Sequence, residues 1–397
     1  MKKKQWIFIV MFLSYTFIYV ARLNFSMAGP ELISKGVLDS VQIGMLGSAF
    51  STVYALGRLL NGGISDTTPP WKMLSVGLAV TGISNLSIGF FPPFIGIFVL
   101  WMSNAYAQSM LWSSILRVVT RLFGKAAKRK MSVMVSSVAV GNILGIVLNT
   151  WLITKIGVSY AFFLPGAITI LLCIAVIIAT KPILFEEKIK KQHTPFLLLL
   201  KRKELLKMTI PAAFHGIMKE NISLWMTVFI VDRYAVDLHT SSYYVLLIPI
   251  IGLVGRLLYP IVFRLLWENE NSVSCAGFGI CIIAAVVLCC ERIGILMSAL
   301  ALGLIYTAVS MINTSFLSIY PLRYAKTGNE AAVSGIMDFS TYLGAGISGA
   351  VYGVLIKYFG YVPMFASWVV VSVISLCIIR TNRIGKIQGE LKSENKQ

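Results

Sequence analysis

Two long apolar stretches of this sequence each carry a basic side chain. Arg22 stands in the run from Trp6 to Met27, and Lys219 stands in the run 208–231. A charge at bilayer depth costs about 2.5–3.5 kcal/mol on insertion scales, so each of these residues is expected to face a cavity or a partner. Guanidinium and ammonium groups bind anions. The pair therefore predicts a binding site for a small anion.

Other polar residues accompany these two cations at helical spacing. Tyr15, Tyr19 and Ser26 share one helix face with Arg22, because they lie at intervals of three and four. His215 lies four residues before Lys219, and it is either a ligand or a hydrogen-bonding spacer. Two further stripes at spacings of four complete the pattern: Asn104, Gln108 and Trp112, and Tyr306, Ser310 and Thr314. Each stripe predicts a polar face on an otherwise apolar helix, as expected of helices that line a cavity.

Few acids in the apolar stretches could neutralise these cations. Glu220 follows Lys219, but consecutive helical residues point roughly 100° apart, so we expect Glu220 to face another helix. Asp338 could pair with Lys219 or Arg256. Both acids are therefore candidates for proton coupling or ion pairing. Arg58 and Arg256 are candidates for gating as well as for substrate contact, and neutralisation of both cations by buried acids stays an alternative.

The composition places the chain in a membrane. Of its 397 residues, 57% are hydrophobic and only 13% are charged, and the mean hydropathy is +0.80. A soluble domain of this length could not solvate such a surface. Runs such as Ile168 to Ile178 are apolar apart from Thr169, which excludes the alternating strands of a membrane β-barrel. We interpret Trp6 to Met27 as a retained first helix rather than a signal peptide.

The apolar stretches predict an all-α membrane protein with twelve spans, each near the roughly 20 residues that cross a bilayer. The predicted spans are 6–27, 42–63, 72–91, 94–120, 131–154, 158–180, 208–231, 240–263, 273–290, 293–320, 331–356 and 361–380. We predict an N-terminal half at 1–181, a linker at 182–207, a C-terminal half at 208–380 and a tail at 381–397. The linker and tail are expected to be cytoplasmic.

The net charge is +19, and the distribution of the positive residues predicts the orientation of the chain in the membrane. Most of the 35 Lys and Arg residues fall on the predicted face that holds both termini, and the positive-inside rule assigns that face to the cytoplasm. The basic run Arg117 to Lys130 is interpreted as a topology and lipid-headgroup signal rather than a nucleic-acid site. The predicted location is a bacterial-type inner membrane. The six cysteines lie in apolar segments and are interpreted as packing residues.

The two predicted halves contain an internal repeat. Gly57-Arg58-Leu59-Leu60 returns identically as Gly255-Arg256-Leu257-Leu258, 198 residues later. Arg22 corresponds to Lys219 at an offset of 197, so the two cations occupy equivalent positions in the repeat. Six spans per half give parallel repeats, an arrangement that resembles the major facilitator superfamily. The resemblance implies a central cavity lined by helices 1, 4, 7 and 10, across which Arg22 and Lys219 are expected to confront one another.

Two further features fit that resemblance. The segment Gly62 to Asp66, followed by Pro70 and Lys72, is similar to the superfamily signature after the second helix. The resemblance implies a gating role for Asp66 at the cytoplasmic end of that helix. Small residues at 141, 145, 344, 346, 349 and 353 allow close helix contacts, either for packing or at a moving interface between the halves.

Most of the chain is similar to the organophosphate:phosphate antiporter family, which includes glycerol-3-phosphate and hexose-phosphate transporters. The most similar segments are Tyr19 to Leu32, Tyr54 to Asp66, Gln108 to Arg117 and Val333 to Gly346. Arg22 falls on the family's helix 1 substrate arginine, Tyr54 on its helix 2 tyrosine, Arg58 on its helix 2 basic residue and Trp112 on its helix 4 tryptophan. The predicted substrate-binding residues are Arg22, Lys219, Tyr19, Tyr54, Arg58, Gln108, Trp112 and His215.

This sequence departs from the family pattern at three places. Lys219 replaces the family's helix 7 arginine, which keeps the charge but loses the bidentate fork that suits phosphate. The stretch Ser136-Ser137-Val138 replaces the helix 5 histidine of the glycerol-phosphate branch, and the central loop is short.

The expected function is alternating-access transport of an organic phosphate, exchanged for inorganic phosphate. One alternative is proton-coupled symport of a carboxylate such as a sugar acid. Another is a transport-like ligand sensor, whose distinguishing feature would be an extended cytoplasmic domain, which this sequence lacks. Efflux of cationic drugs is disfavoured by a positive cavity. We expect no enzyme activity, no cofactor, no metal and no nucleic acid. The expected partners are the substrate and the lipid bilayer, and the protein is expected to be monomeric.

Overall fold

The computed structural model describes the backbone of residues 2–181, 202–327 and 330–394. These residues form thirteen α-helices and no β-strand. The helices are α1 (Lys2–Ser34), α2 (Ser40–Thr67), α3 (Pro70–Ile88), α4 (Phe94–Ser109), α5 (Leu111–Phe123), α6 (Ala127–Lys155), α7 (Tyr160–Thr180), α8 (Lys203–Tyr234), α9 (Leu238–Leu265), α10 (Glu270–Cys289), α11 (Ile295–Thr314), α12 (Glu330–Phe359) and α13 (Val362–Glu394). The short elements are a 3₁₀ turn (Gly124–Ala126), a π turn (Ser315–Ile319) and a 3₁₀ helix (Tyr320–Thr327).

The helices account for all twelve predicted spans. α4 and α5 meet at Met110 and together form the single apolar stretch Phe94–Phe123. Among the described residues, ten stretches are long and apolar enough to cross a membrane. The two remaining predicted spans correspond to α3 and α8, with 19 and 32 residues. At a rise of 1.5 Å per residue, both are long enough to span. The all-α fold class is confirmed.

Two helix ends differ from the predicted bounds for identifiable reasons. α3 ends at Ile88 rather than 91, because Phe91 adopts a positive φ of 50° and two prolines follow it. The predicted span 293–320 is regular only over Ile295–Thr314, and the chain then passes into the π turn.

The start of α2 has a strong local signal. Asp39 Oδ1 accepts a hydrogen bond from the Gln42 backbone N–H at 2.8 Å, and Gln42 Oε1 accepts one from the Asp39 backbone N–H at 2.9 Å. This reciprocal pair satisfies two helix donors that otherwise lack partners. The cap therefore fixes where α2 begins, and with it the register of Tyr54 and Arg58.

The chain divides into two compact units. Unit 1 comprises Met1–Lys190 and Ser223–Pro249, and unit 2 comprises Lys191–Ile222 and Ile250–Gln397. The predicted linker at 182–207 lies outside the described residues as far as 201, and α8 begins at Lys203. The halves 1–181 and 208–380, and the tail 381–397, stay predictions.

The internal repeat is visible in the packing of each unit. In unit 1, a Cβ at Gly57 would overlap Ser109, where α2 crosses α4. In unit 2, a Cβ at Gly255 would overlap Thr307, where α9 crosses α11. Gly57 and Gly255 are 198 residues apart, and so are Ser109 and Thr307. The repeated glycine is therefore required for a repeated close crossing of two helices.

Other small residues serve close packing within a unit. In unit 1, a Cβ at Gly141 of α6 would lie 2.6 Å from the Thr16 carbonyl oxygen of α1. In unit 2, a Cβ at Gly344 of α12 would overlap the Ala213 carbonyl oxygen of α8. These two glycines thus favour the packing interpretation of the small-residue positions.

Candidate anion-binding site

Arg22 lies half-buried on α1 in unit 1, among three aromatic rings. Its Cζ atom is 5.0 Å from the ring centre of Tyr19, 4.9 Å from that of Phe50 and 4.7 Å from that of Tyr54. Phe50 and Tyr54 lie on α2 with nearly parallel rings, whose centres are 6.1 Å apart. Cation–π contacts of this kind stabilise a cation by about 0.5–2 kcal/mol, depending on burial. The rings thus form an aromatic cage, defined here as Tyr19, Phe50 and Tyr54.

A hydrogen bond fixes the Arg22 guanidinium on its other side. Arg22 Nε donates to Gln108 Oε1 at 3.0 Å, and Gln108 Nε2 donates to Asn104 Oδ1 at 3.0 Å. Gln108 and Asn104 lie on α4, one helical turn apart. The guanidinium is therefore positioned by α1, α2 and α4 together.

Two more of the predicted site residues lie close to this cluster. Arg58, one turn after Tyr54 on α2, has its Cζ atom 5.8 Å from the Tyr54 ring centre. Trp112 lies on α5 and packs against Tyr15 with ring centres 5.1 Å apart, while Tyr15 packs on Tyr19 at 5.4 Å. Unit 1 thus brings together all of its predicted substrate-binding residues.

Sequence reasoning missed Phe50, whose ring is as close to the Arg22 guanidinium as those of the tyrosines. The available signal was spacing, because Phe50, Tyr54 and Arg58 follow one another at intervals of four on one face of α2. Phe50 also packs on Trp101 of α4, with ring centres 5.1 Å apart. This contact links the aromatic cage to the core of unit 1.

Lys219, the counterpart of Arg22 in unit 2, has a different environment. Its Nζ atom lies 3.0 Å from Glu220 Oε1 and 5.1 Å from the ring centre of Tyr342 on α12. This ion pair fits the interpretation of Glu220 as an ion-pair candidate. The backbone directions of consecutive residues diverge, but both side chains are long enough to curve towards each other and form the pair. Glu220 therefore offsets part of the positive charge of Lys219.

His215 is fully buried on α8, one turn before Lys219. Its Nε2 atom lies 2.9 Å from the Val309 carbonyl oxygen on α11, so the tautomer with a proton on Nε2 donates there. Its ring also packs edge-on against Phe316, with centres 6.5 Å apart. This geometry fits the hydrogen-bonding spacer that the sequence left as one of two interpretations.

The structure also locates the remaining candidate residues. Asp338 on α12 and Arg256 on α9 are half-buried in unit 2, and their ion-pairing and gating roles stay predictions. Asp66 belongs to α2, and its side chain lies outside the described residues. Within the described parts of the chain, no group of three or more His, Cys, Asp or Glu residues could hold a metal ion.

Comparison with known proteins identifies the wider group. A family model described as "Major Facilitator Superfamily" matches residues 7–349. The match covers most of the chain and includes both Arg22 and Lys219.

Three curated bacterial relatives match parts of the chain. A "Probable hexose phosphate transport protein" of Chlamydia trachomatis is 34% identical over 174 residues, which cover 43% of this chain and 38% of the relative. A "Glycerol-3-phosphate transporter" of Haemophilus influenzae is 30% identical over 132 residues, 32% of this chain and 28% of the relative. The "Membrane sensor protein UhpC" of Escherichia coli is 32% identical over 111 residues, 28% of this chain and 25% of the relative. Each match spans less than two fifths of the relative's length.

Solved structures confirm the fold over nearly the whole chain. The nucleoside transporter NupG has a TM-score of 0.77 at 12% identity, covering 97% of this chain and 99% of that chain. A bacterial homologue of the human lysosomal transporter Spinster has a TM-score of 0.74 at 14% identity, covering 96% of this chain and 95% of that chain. The similarity at this identity concerns the fold alone.

Proposed function

The chain belongs to the Major Facilitator Superfamily, and we propose that this multi-pass membrane transporter exchanges an organic phosphate for inorganic phosphate by alternating access. The superfamily membership supports transport, and the similarity to proteins named as hexose phosphate and glycerol-3-phosphate transporters supports the substrate class. The finer assignment depends on the chemistry of the candidate site.

The observation that carries the proposal is the environment of Arg22. Its guanidinium is held by the aromatic cage and by Gln108, so it presents a fixed planar cation inside an apolar helix bundle. Phosphate oxygens match the donor geometry of a guanidinium better than that of an ammonium. A preorganised arginine loses little conformational freedom on binding, which favours affinity.

Lys219 is the proposed second cation for the same anion. It occupies the position equivalent to Arg22 in the repeat, and like Arg22 it lies beside a tyrosine ring. An ammonium acts as a point charge rather than a fork. We therefore assign Lys219 to charge neutralisation and Arg22 to orientation of the phosphate group.

Exchange follows from the cost of closing an empty site. Two desolvated cations repel one another, and an anion removes both the repulsion and part of the desolvation penalty. Closure is therefore favoured when the site is loaded. A carrier with this property returns with a second anion rather than empty, which is antiport.

The proposed orientation has both termini in the cytoplasm of a bacterial cell, because the positively charged loops lie on that side. In this orientation Asp66 and Arg256 lie near the cytoplasmic ends of α2 and α9, where we assign them gating roles. Reporters fused after Gln397 test the proposed orientation. A reporter that works only outside the cytoplasm should stay inactive at this position.

Proton-coupled symport of a carboxylate is a second candidate, favoured by the Lys219–Glu220 ion pair. Protonation of Glu220 would release Lys219 for an anionic substrate, which couples anion binding to proton uptake. The similarity to a protein named as a membrane sensor favours a third candidate, a ligand sensor, which would bind an anion without moving it.

Counterflow separates these candidates. Purified protein in liposomes loaded with inorganic phosphate is challenged with labelled sugar phosphates, glycerol phosphate and sugar acids. Antiport predicts accumulation of a labelled phosphate ester only when phosphate is inside. Symport predicts uptake driven by a pH gradient into unloaded liposomes. Ligand binding with no uptake in either format would support the sensor and overturn the transport proposal.

A further inference from the structure

We propose that Asn104 is a positioning residue for anion binding, which acts through Gln108 to hold the Arg22 guanidinium in one orientation. The inference rests on the proposed function, because a positioning role presupposes that Arg22 binds an anion. Asn104 itself is not expected to touch that anion. All three residues belong to unit 1, on α1 and α4.

The direction of this hydrogen-bond chain is dictated by Arg22. A guanidinium has only donors, so Gln108 must present its oxygen to Arg22 Nε, as it does at 3.0 Å. Its amide nitrogen must then point away, and it donates to Asn104 Oδ1 at 3.0 Å. Asn104 thus supplies the acceptor that keeps the Gln108 amide from rotating. A rotated Gln108 would set a donor against the Arg22 donor.

Asn104 leaves one of its own polar atoms unsatisfied in this arrangement. Its Nδ2 atom is buried and has no hydrogen-bond partner among the described residues. Each orphaned buried donor costs roughly 1–3 kcal/mol and calls for an explanation. Flipping the Asn104 amide would place its nitrogen against Gln108 Nε2, again donor against donor. The orphan follows directly from the direction that Arg22 imposes.

Burial and the order of the hydrogen bonds separate Asn104 from Arg22. Asn104 is 0% exposed and Gln108 is 1% exposed, whereas Arg22 is half-buried. Helical spacing predicts that Asn104 lines the cavity together with Gln108. Its complete burial and its bond to Gln108, which in turn bonds to Arg22, instead support action through Gln108 on Arg22. Asn104 is therefore a positioning residue rather than a ligand.

Exchange kinetics test the assignment in the full-length protein. Asn104→Leu removes the acceptor while keeping a similar volume, and Asn104→Ala is a second variant in case Leu prevents folding. We expect KM for inorganic phosphate to rise about three- to tenfold with kcat retained, because the lost bond affects binding of the anion only. Unchanged KM in the folded variant overturns the proposal.

Asn149→Leu is the matched control. Asn149 is also 0% exposed in unit 1, but its Nδ2 atom donates to the Val20 carbonyl oxygen at 3.2 Å, and within the described residues its amide is not hydrogen-bonded to Gln108. We expect this variant to lose stability without raising KM. An equal rise in KM for both variants would mean that any lost buried amide has this effect, which contradicts a specific role for Asn104.

A measurement without ligand keeps this proposal separate from the proposed function. Thermal unfolding of Asn104→Leu, Arg22→Leu and the double variant forms a double-mutant cycle between two residues that both bond to Gln108. We expect a non-additive change in Tm, whereas the cycle of Asn149→Leu with Arg22→Leu should be additive. Additive behaviour of Asn104 and Arg22 overturns the positioning role. Absence of phosphate binding by the wild type, with a non-additive cycle, refutes only the proposed function.

Discussion

The Nζ atom of Lys219 lies 3.0 Å from Oε1 of Glu220, the next residue in the chain. A basic residue in one repeat is thus paired with an acid, while its counterpart Arg22 is held by aromatic rings and an amide. An anion bound by both residues would therefore meet two different environments. Variants of the Lys219–Glu220 ion pair can distinguish the antiport interpretation from the symport interpretation.

The first prediction concerns this ion pair. Glu220→Gln removes a negative charge beside Lys219, so under antiport the affinity for phosphate should rise, by about two- to fivefold for a partly exposed pair. Counterflow in phosphate-loaded liposomes measures it. Asp338→Asn serves as the companion variant. Loss of pH-driven uptake in either variant, with exchange spared, would identify the essential proton site of a symporter instead.

The second prediction concerns a contact that we expect to separate during the proposed alternating access. The C-terminal part of α8 belongs to unit 1, where a Cβ at Gly47 would overlap Leu224 and Ser26 Oγ donates to the Leu224 carbonyl oxygen at 3.2 Å. We expect a disulfide between cysteines at 47 and 224 to stop exchange, and reduction to restore it.

The controls for that experiment are the two single-cysteine variants treated with the same oxidant. They are needed because the same oxidant could act on the six native cysteines. Exchange by the cross-linked protein at the rate of its reduced form would show that this contact does not separate during transport.

The third prediction tests close packing in unit 2. Gly344→Ala should destabilise the protein by about 1–3 kcal/mol, because the added methyl group overlaps a backbone carbonyl that cannot move away cheaply. Gly279→Ala is the control, since nothing lies within 4 Å of a Cβ at that position on α10. There the higher helix propensity of alanine should leave Tm unchanged or raise it. Equal effects at both glycines would contradict the packing argument.

The fourth prediction concerns pH at the start of α9, outside the membrane-spanning segments. Hydrogen bonds from the Thr240 side chain and from the backbone N–H groups of Thr240 and His239 hold the pKa of Asp237 below its usual value. A depressed pKa gives stability above the unfolded-state pKa, and this is lost as pH falls through the folded-state pKa.

We therefore expect the Tm of the wild type to fall more steeply than that of Asp237→Asn as the pH drops below about 4. The asparagine keeps an acceptor for the helix N–H groups but does not titrate. Parallel pH profiles of Tm would rule out the contribution of this carboxylate.

The fold was predictable because lipid imposes a strong rule on the sequence. Each span needs a long apolar run, and the repeated Gly57 and Gly255 segments revealed two related sets of helices. The bounds of α3 were less predictable, since the positive φ at Phe91 depends on the turn that follows. Side-chain spacing on α1 placed Tyr19 on the same helix face as Arg22, whereas Tyr54 was predicted from the family resemblance.

The parts of the site that escaped prediction depend on side-chain reach and on contacts between helices. The side chains of Lys219 and Glu220 leave the helix in different directions, but both are long enough to meet. The burial of His215 against Val309 depends on how α8 packs on α11, which helix periodicity does not report. Phe50 was overlooked because an aromatic residue on an apolar helix gives no distinct chemical signal.

The most direct test of the account measures phosphate-loaded counterflow in Arg22 and Lys219 variants. Removing either charge should weaken binding by the roughly 1.5–3 kcal/mol of a charge-assisted hydrogen bond, or about 10- to 150-fold. We predict that Arg22→Ala and Lys219→Ala each eliminate counterflow, that Arg22→Lys loses part of it, and that Lys219→Arg retains it. Exchange by Lys219→Ala at near the wild-type rate would contradict the two-cation site and leave Lys219 as the structural partner of Glu220.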